Sequence, residues 1–315
     1  MIAESPDDVT AAVLAEIARA PDPRFREVMS AAVRHLHAFA RDVRLTEAEF
    51  QQACAVVVRL GQLSSASHNE VVLAAGSLGL SALVCLLNNG DGGREPTTAN
   101  LLGPFWREGA PALRNGDSIV RSPTPGATVF VEATVRTREG RPVAGAEVDV
   151  WQASPEGFYE NQDPAQAEMN LRGRLVADAD GRIAFRTVKP AGYPIPVSGP
   201  VGALLRAQGR HNLRPAHIHF MIRAAGFKTQ YAQVYSDDDP NLDSDVQFAV
   251  TRALVGRYVR HEGPAPAADV EGPWYTLAHA FVLEPGASTT PRAPITGKAT
   301  ERPALDVLLR HPDMR

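Results

Sequence analysis

The strongest chemical signal in the chain is a pair of histidines one residue apart, in Arg214-Pro215-Ala216-His217-Ile218-His219-Phe220. In a β-strand, side chains at i and i+2 share a face. His217, His219 and Met221 therefore point one way, and Ile218, Phe220 and Ile222 point the other, an apolar set suited to a core. Two imidazoles held side by side on a rigid strand are half of a site for iron, zinc or copper. The same spacing also serves two hydrogen-bonded histidines on a half-buried strand. His35-Leu36-His37 repeats the spacing in a helical pattern, where i and i+2 diverge, and reads as structural or exposed. His68, His211, His261, His279 and His311 stand alone and read the same way. Two of the six tyrosines lie upstream of the histidine strand: Tyr159, in Ser154-Pro155-Glu156-Gly157-Phe158-Tyr159, and Tyr193, in Lys189-Pro190-Ala191-Gly192-Tyr193-Pro194-Ile195-Pro196. Taken singly, each reads as a packing residue or hydrogen-bond donor. A phenol with a pKa of about 10 ligates as phenolate only beside a strongly charged cation. The acidic run Asp237-Asp238-Asp239, with Asp243 and Asp245, lacks the alternation and terminal Glu of a calcium loop. It reads as a solvated loop and helix cap.

The elements that must position these residues fall into two textures. The first third is helical in pattern, over Ala11–Arg19, Phe25–Val43, Thr46–Leu60 and Val71–Leu87. Thr46 and Glu49 form a capping-box pattern, Asn88-Asn89-Gly90 ends the fourth segment, and Gly90–Thr98 reads as a polar linker. After Gly103, short runs alternate apolar and polar residues. Val129, Val131, Ala133 and Val135 alternate, as do Val148 and Val150, and Asp180-Gly181 reads as a hairpin turn before Ile183, Phe185 and Thr187. The spacing predicts a β-sandwich or related barrel. One late helix is expected over Val246–Val259, capped by Asp243-Ser244-Asp245, followed by a strand over Trp274–Leu283 and an irregular Pro/Thr/Ala-rich segment from Glu284.

The 315 residues, 44% hydrophobic and 22% charged, can bury a sizeable core, and 315 suits one large domain with an appendage, or two domains. A net charge of −4 without clustered Lys or Arg gives no reason to expect nucleic acid or an anionic membrane as partner. Cys54 and Cys85 lack metal-ligand spacing and read as buried free thiols of a reducing compartment. The acidic N-terminus has no apolar signal region, and Val71–Leu87 is slightly short for a membrane span. The expected location is the cytoplasm.

Several segments together resemble the intradiol ring-cleavage dioxygenases. They are Leu102-Gly103-Pro104-Phe105-Trp106, Gly145 to Gln152, Gly157-Phe158-Tyr159, Leu171-Arg172-Gly173, Tyr193-Pro194-Ile195-Pro196 and Gly209-Arg210-His211 through Phe220. The resemblance runs in matching order from about Phe25 to Val282. It implies a mainly β protein with a helical N-terminal dimerisation domain and linker (residues 1–98), a β-sandwich catalytic domain (99–285) and an irregular C-terminal tail (286–315). It further implies one Fe(III) per subunit, held by Tyr159, Tyr193, His217 and His219, with Tyr159 and His219 equatorial and Tyr193 and His217 axial. The implied reaction inserts both atoms of O2 into a catechol-type ring between its two hydroxyls. Tyr193 leaves the metal and acts as a base, Arg214 stabilises developing negative charge, and Gln233 lies beside the reacting carbon. A homodimer through the N-terminal helices is implied, with a lipid tail enclosed between subunits.

Within the family, Tyr193-Pro194-Ile195-Pro196, Gly199-Pro200-Val201-Gly202, His219-Phe220-Met221 and Asp239 to Asp245 look closest to hydroxyquinol 1,2-dioxygenases. That implies benzene-1,2,4-triol as substrate and maleylacetate as product. Catechol or substituted-catechol 1,2-dioxygenases, which give cis,cis-muconates, are the near alternative. The implied pocket wall comprises Leu73, Gly76, Leu101, Pro104 and Phe105. Hydroxyquinol enzymes tend to carry an acidic residue at the position of Gly76, so this chain is expected to lose an acceptor there and to gain space. The rival from another class is a metal-free β-sandwich binding module, which would have no need of Tyr159, Tyr193, His217, His219 and Arg214 together.

Overall fold

A computed structural model describes residues 2–88 and 99–308, so the linker expected over Gly90–Thr98, the Asn89-Gly90 stop and His311 fall outside the described residues. Helix α1 (Pro6–Ile17) starts five residues before the alanine-rich run because Ser5 and Asp8 form a reciprocal capping box, with Pro6 in the first turn. In α2 (Pro23–Asp42) the Asp22 carboxylate accepts from the amides of Arg24 and Phe25. In α3 (Glu47–Leu63) Thr46 and Glu49 make the expected box, the Thr46 amide lying 2.9 Å from the Glu49 carboxylate. None of these three helices contains a buried residue, and Phe25, Leu36, Phe39, Phe50 and Val57 are all exposed. His37 Nδ1 lies 2.9 Å from the Thr10 hydroxyl, consistent with a structural role.

Residues 1–58 form one compact unit and residues from 59 onward a second. The single helix expected over Val71–Leu87 is two, α4 (Glu70–Ser77) and α5 (Leu80–Asn88), bent by 77°. The break falls at Leu78-Gly79, where Gly79 takes a φ of +73° that a side chain would resist. No single helix among the described residues is long and apolar enough to cross a membrane.

The β-strands are β1 (Thr128–Arg136), β2 (Glu147–Trp151), β3 (Arg172–Val176), β4 (Arg182–Val188), β5 (Tyr193–Pro194), β6 (Leu213–Arg214), β7 (His217–Arg223), β8 (Gln230–Ser236), β9 (Val255–Gly256), β10 (Tyr258–His261) and β11 (Trp274–Val282). Helix α6 (Pro200–Ala207) lies between β5 and β6. One sheet runs β10-β11-β1-β4, a second runs β3-β2-β7-β8-β9, and β5 pairs with β6 alone. Alternation in the strands builds the core between the two large sheets. Val129, Val131, Ala133 and Val135 from β1 meet Val148, Val150, Ile218, Phe220 and Ile222 from the other sheet, all at most 2% exposed.

Three expectations need correction. Asp180-Gly181 is a turn, with the Gly181 amide donating to the Asp178 carbonyl, but not a hairpin: β3 pairs with β2 and β4 with β1, so the turn carries the chain from one sheet to the other. The helix expected over Val246–Val259 does not form. Asp245 does cap, accepting from the amides of Gln247 and Ala249, but Phe248 takes a φ of +55° and the β-branched Val255 and Val259 enter strands. Cys54 and Cys85 are unbridged, yet Cys54 is exposed and Cys85 half-buried, so neither is a core thiol. The segment after β11 is irregular as expected, but it is tied down. Ile295 is 1% exposed, the Thr296 amide donates to the Ala66 carbonyl, and Arg302 pairs with Asp163.

Candidate metal and substrate site

The histidine strand β7 sits in mid-sheet, and antiparallel register decides what surrounds it. Across from His219 stand Trp151 on β2 and Gln233 on β8, and across from His217 stands Tyr235. The indole of Trp151 stacks on His219 with ring centroids 4.6 Å apart. The face opposite the core therefore carries a strip of ring and amide side chains that ends at the two imidazoles.

Tyr159 reaches this strip from the loop after β2. Glu160, next in sequence and 1% exposed, accepts from both Arg107 and Arg172 at 2.8 Å, and Arg172 also donates to the Phe105 carbonyl at 2.7 Å. Phe105 in turn stacks on Tyr159 at 4.5 Å. Tyr193 arrives through the short β5–β6 ladder, where it pairs directly with Arg214. Prolines on either side leave that segment few alternatives.

The four polar tips converge. Tyr159 Oη lies 3.0 Å from Tyr193 Oη, 2.9 Å from His219 Nε2 and 3.4 Å from His217 Nε2, and the two Nε2 atoms are 3.1 Å apart. Two ligands each about 2.1 Å from one ion are roughly 3.0–3.4 Å apart when the angle between them is about 90–110°. The separations therefore fit donors around a single cation. The proton inventory fits as well. His217 Nδ1 donates to the Pro215 carbonyl at 2.6 Å, which turns an Nε2 lone pair into the cluster. His219 Nδ1 is buried without a partner among the described residues. Two phenol protons cannot satisfy so many converging lone pairs, and a cation among them would. Among the described residues no group of three His, Cys, Asp or Glu could hold a metal, so this cluster depends on its tyrosines.

Electrostatics agree with neutral imidazoles and cation-dependent phenolates. Burial first, then the Arg214 cation, hold His217 down to about 3. Burial, His217 and Arg214 hold His219 well below its ordinary value. Burial and the neighbouring Tyr193 push the Tyr159 phenol well up. Burial also pushes Tyr193 up, against the pull of Arg214. The imidazoles are thus in their ligating form at neutral pH, and the phenols need a cation to ionise.

Arg214, 2% exposed, stands beside the cluster with Nη1 3.3 Å from His217 Nε2. Asp245 clamps it through two contacts of 3.0 Å, and it donates to Gln233 at 2.7 Å and to the Tyr235 hydroxyl at 3.1 Å. Burial works against its charge, but Asp245, Tyr235 and Tyr193 outweigh burial and raise it further. Gln233 is engaged at both ends, accepting from Arg214 and donating to the Leu101 carbonyl at 2.9 Å.

A cavity of about 840 Å³ adjoins the cluster, lined by α4, α5, the 101–104 segment and residues 291–296 of the tail. Its 101–104 wall touches the site, since a Cβ added at Gly103 would lie 3.2 Å from His219 Cε1. Of the expected wall residues, Leu101 and Pro104 line the cavity, and Leu73 and Phe105 lie in the apolar cluster around Tyr159 and Tyr193. Gly76 does not open space as expected. The carboxamide of Gln247 lies against it, 2.9 to 3.1 Å from where a Cβ would be. Sequence reading missed Asp245 as the partner of Arg214, together with Trp151, Tyr235 and Gln247. The alternation Tyr231-x-Gln233-x-Tyr235, read against His217-x-His219, carried the signal for Tyr235. The interrupted helix concealed Asp245 and Gln247.

The profile of a family described as "Dioxygenase" matches residues 101–284, and "Catechol dioxygenase N terminus" matches residues 22–93. The chain is 42% identical over 280 residues to the 6-chlorohydroxyquinol 1,2-dioxygenase of Cupriavidus pinatubonensis, covering 88% of this chain and 97% of that protein. It is 38% identical over 278 residues to a hydroxyquinol 1,2-dioxygenase of Rhizobium sp., covering 86% and 92%. The solved hydroxyquinol 1,2-dioxygenase from Pseudomonas putida DLL-E4 superposes with a TM-score of 0.76 at 36% identity, covering 89% of this chain and 99% of that one. The chain belongs to the intradiol ring-cleavage dioxygenases, enzymes that open aromatic rings with O2.

Proposed function

We propose that this enzyme binds one Fe(III) through Tyr159, Tyr193, His217 and His219 and opens benzene-1,2,4-triol to maleylacetate. The observation that carries the metal is the meeting of two phenol oxygens and two neutral imidazole nitrogens within 2.9 to 3.4 Å of Tyr159 Oη or of each other. Two anionic oxygen donors favour a hard trivalent ion over a soft one. The substrate rests on the relatives named for hydroxyquinol and 6-chlorohydroxyquinol.

When bound, the ferric ion would supply a chelating site for both catechol oxygens and draw electron density from the ring. The chain's residues do the rest. Tyr193 is one of the four donors, and its oxygen, once ionised, would take a proton from a substrate hydroxyl. Arg214, already charged and fixed by Asp245, faces the cluster and stabilises negative charge on the ring-opening substrate. Gln233 and Tyr235 are positioning residues that hold the guanidinium. Phe105, Leu73 and Trp151 exclude water around the reacting groups.

The test is oxygen uptake by iron-loaded protein with hydroxyquinol, catechol, chlorocatechols, methylcatechols and protocatechuate. Hydroxyquinol should give the highest kcat/KM, with a ring-opened dicarboxylate as product. Fastest turnover of a chlorocatechol or catechol would transfer the substrate assignment to the muconate-forming enzymes. No uptake with any of them would favour a binding module. We also infer a cytoplasmic homodimer. The exposed apolar side chains of α2 and α3 support the dimer, a lipid tail enclosed between its subunits is part of the same reading, and the unbridged cysteines support the compartment. A monomer by analytical ultracentrifugation would refute the dimer.

A further inference from the structure

One buried polar side chain in the cavity wall has no part in the mechanism. Gln247 is 2% exposed and lines the cavity beside Leu101 and Pro104. Its backbone amide donates to Asp245 at 3.2 Å, but its carboxamide makes no hydrogen bond among the described residues. The carboxamide stands in the cavity wall with no protein partner among the described residues, so it can hydrogen-bond whatever fills the cavity. Gly76 explains how the amide fits. Its missing side chain leaves the flat face that the carboxamide covers, with Cδ, Oε1 and Nε2 all within 3.1 Å of the Cβ position. The two residues act as a pair, because any larger residue at 76 would push the amide away.

We propose that the Gln247 carboxamide, seated on Gly76, is the specificity-determining group that reads a hydroxyl on the substrate ring outside the chelating pair. This rests on the dioxygenase reading of the same site. An amide both donates and accepts, which matches a hydroxyl, also a donor and an acceptor. It places, from a different segment of the chain, a polar group against Gly76, where the glycine itself offers none. Being uncharged, it needs no counter-ion in an apolar wall. Gln247 also hangs on the carboxylate that fixes Arg214, so one turn of chain places both the charge-stabilising group and the substituent reader.

The experiment compares wild type with Gln247→Met, which keeps the length and removes the hydrogen bonds, and Gln247→Glu, which keeps an acceptor. Steady-state oxygen uptake is measured with hydroxyquinol and catechol, alongside anaerobic calorimetric titration with each. In Gln247→Met, hydroxyquinol should lose roughly 10- to 100-fold in kcat/KM and in affinity, while catechol changes by less than about threefold. Gln247→Glu should recover part of the loss. Gly76→Ala, which displaces the amide without removing it, should shift the hydroxyquinol-to-catechol ratio in the same direction, and it guards against a folding defect in the first variant. An equal change for both substrates, or none for either, in Gln247→Met and Gly76→Ala overturns the proposal. If wild type consumes oxygen with neither substrate, the dioxygenase reading fails instead, and this inference falls with it.

Discussion

Replacing Asp245 with Asn leaves Arg214 charged, buried and without its counter-ion. Both side chains are 2% exposed, and the carboxylate makes two contacts of 3.0 Å to the guanidinium. Breaking a buried pair by removing one charge costs about 3–5 kcal/mol. Asn keeps one acceptor oxygen where the carboxylate has two, so one of the bonds from the Gln247 and Ala249 amides is lost as well, and the loss belongs to the charge and to that bond together. At roughly 2–4 °C per kcal/mol for a domain of this size, Asp245→Asn should lower the Tm by about 6–20 °C. The assay is calorimetry on Asp245→Asn, Arg214→Met and the double variant. Each single variant strands a charge, whereas the double variant strands none. The double should therefore be less destabilised than the sum of the singles, by about 3 kcal/mol or more. Simple additivity, or a loss under 1 kcal/mol in Asp245→Asn, would refute the view that this pair is what holds the guanidinium against the cluster.

Two further predictions come from other parts of the chain. Gly103→Ala places a Cβ 3.2 Å from His219 Cε1 at a φ of +77°, so it should cost about 1–2 kcal/mol and weaken iron retention, read as metal per chain after dialysis; full retention would show that the 101–104 wall does not set the imidazole. His279 is lowered to about 4 by burial. The unfolded chain therefore binds its proton first, and the stability it contributes is complete above about pH 6.5 and lost as pH falls toward 4, at most about 3 kcal/mol. His279→Leu should flatten that part of the denaturation profile between pH 7 and 4.5, and an unchanged acid limb would remove His279 from the account.

What could be read from residues alone followed the length and regularity of each pattern. The alternation in β1, β2 and β7 named both the strands and their core-facing sides, because a period of two leaves little choice once one face is apolar. The chemistry of His217 and His219 was half legible for the same reason. Tyr159 and Tyr193 were not legible singly, since nothing local to either reports a metal. They meet the histidines through a loop held by Glu160 and a two-residue ladder opposite Arg214, both long-range contacts. Resemblance to a family supplied what local pattern could not. The segment from Asp245 to Val259 misled because a caps-then-apolar pattern satisfies a helix and a turn equally. Here the capping carboxylate was already committed to Arg214, and Phe248 turned the chain out of the helical region. Gly76 misled in the other direction: an absent side chain was read as space, and the structure fills it with an amide from 171 residues further on.

The central claim is tested most directly by the visible absorption spectrum of iron-loaded protein, recorded with iron content per chain. Phenolate bound to ferric iron gives a broad charge-transfer band, so wild type should be wine-red with one iron per chain. Tyr159→Phe should lose or strongly shift that band. A colourless iron-loaded wild type, or a Tyr159→Phe variant with an unchanged band and full iron, would contradict the assignment of the four donors to one ferric ion.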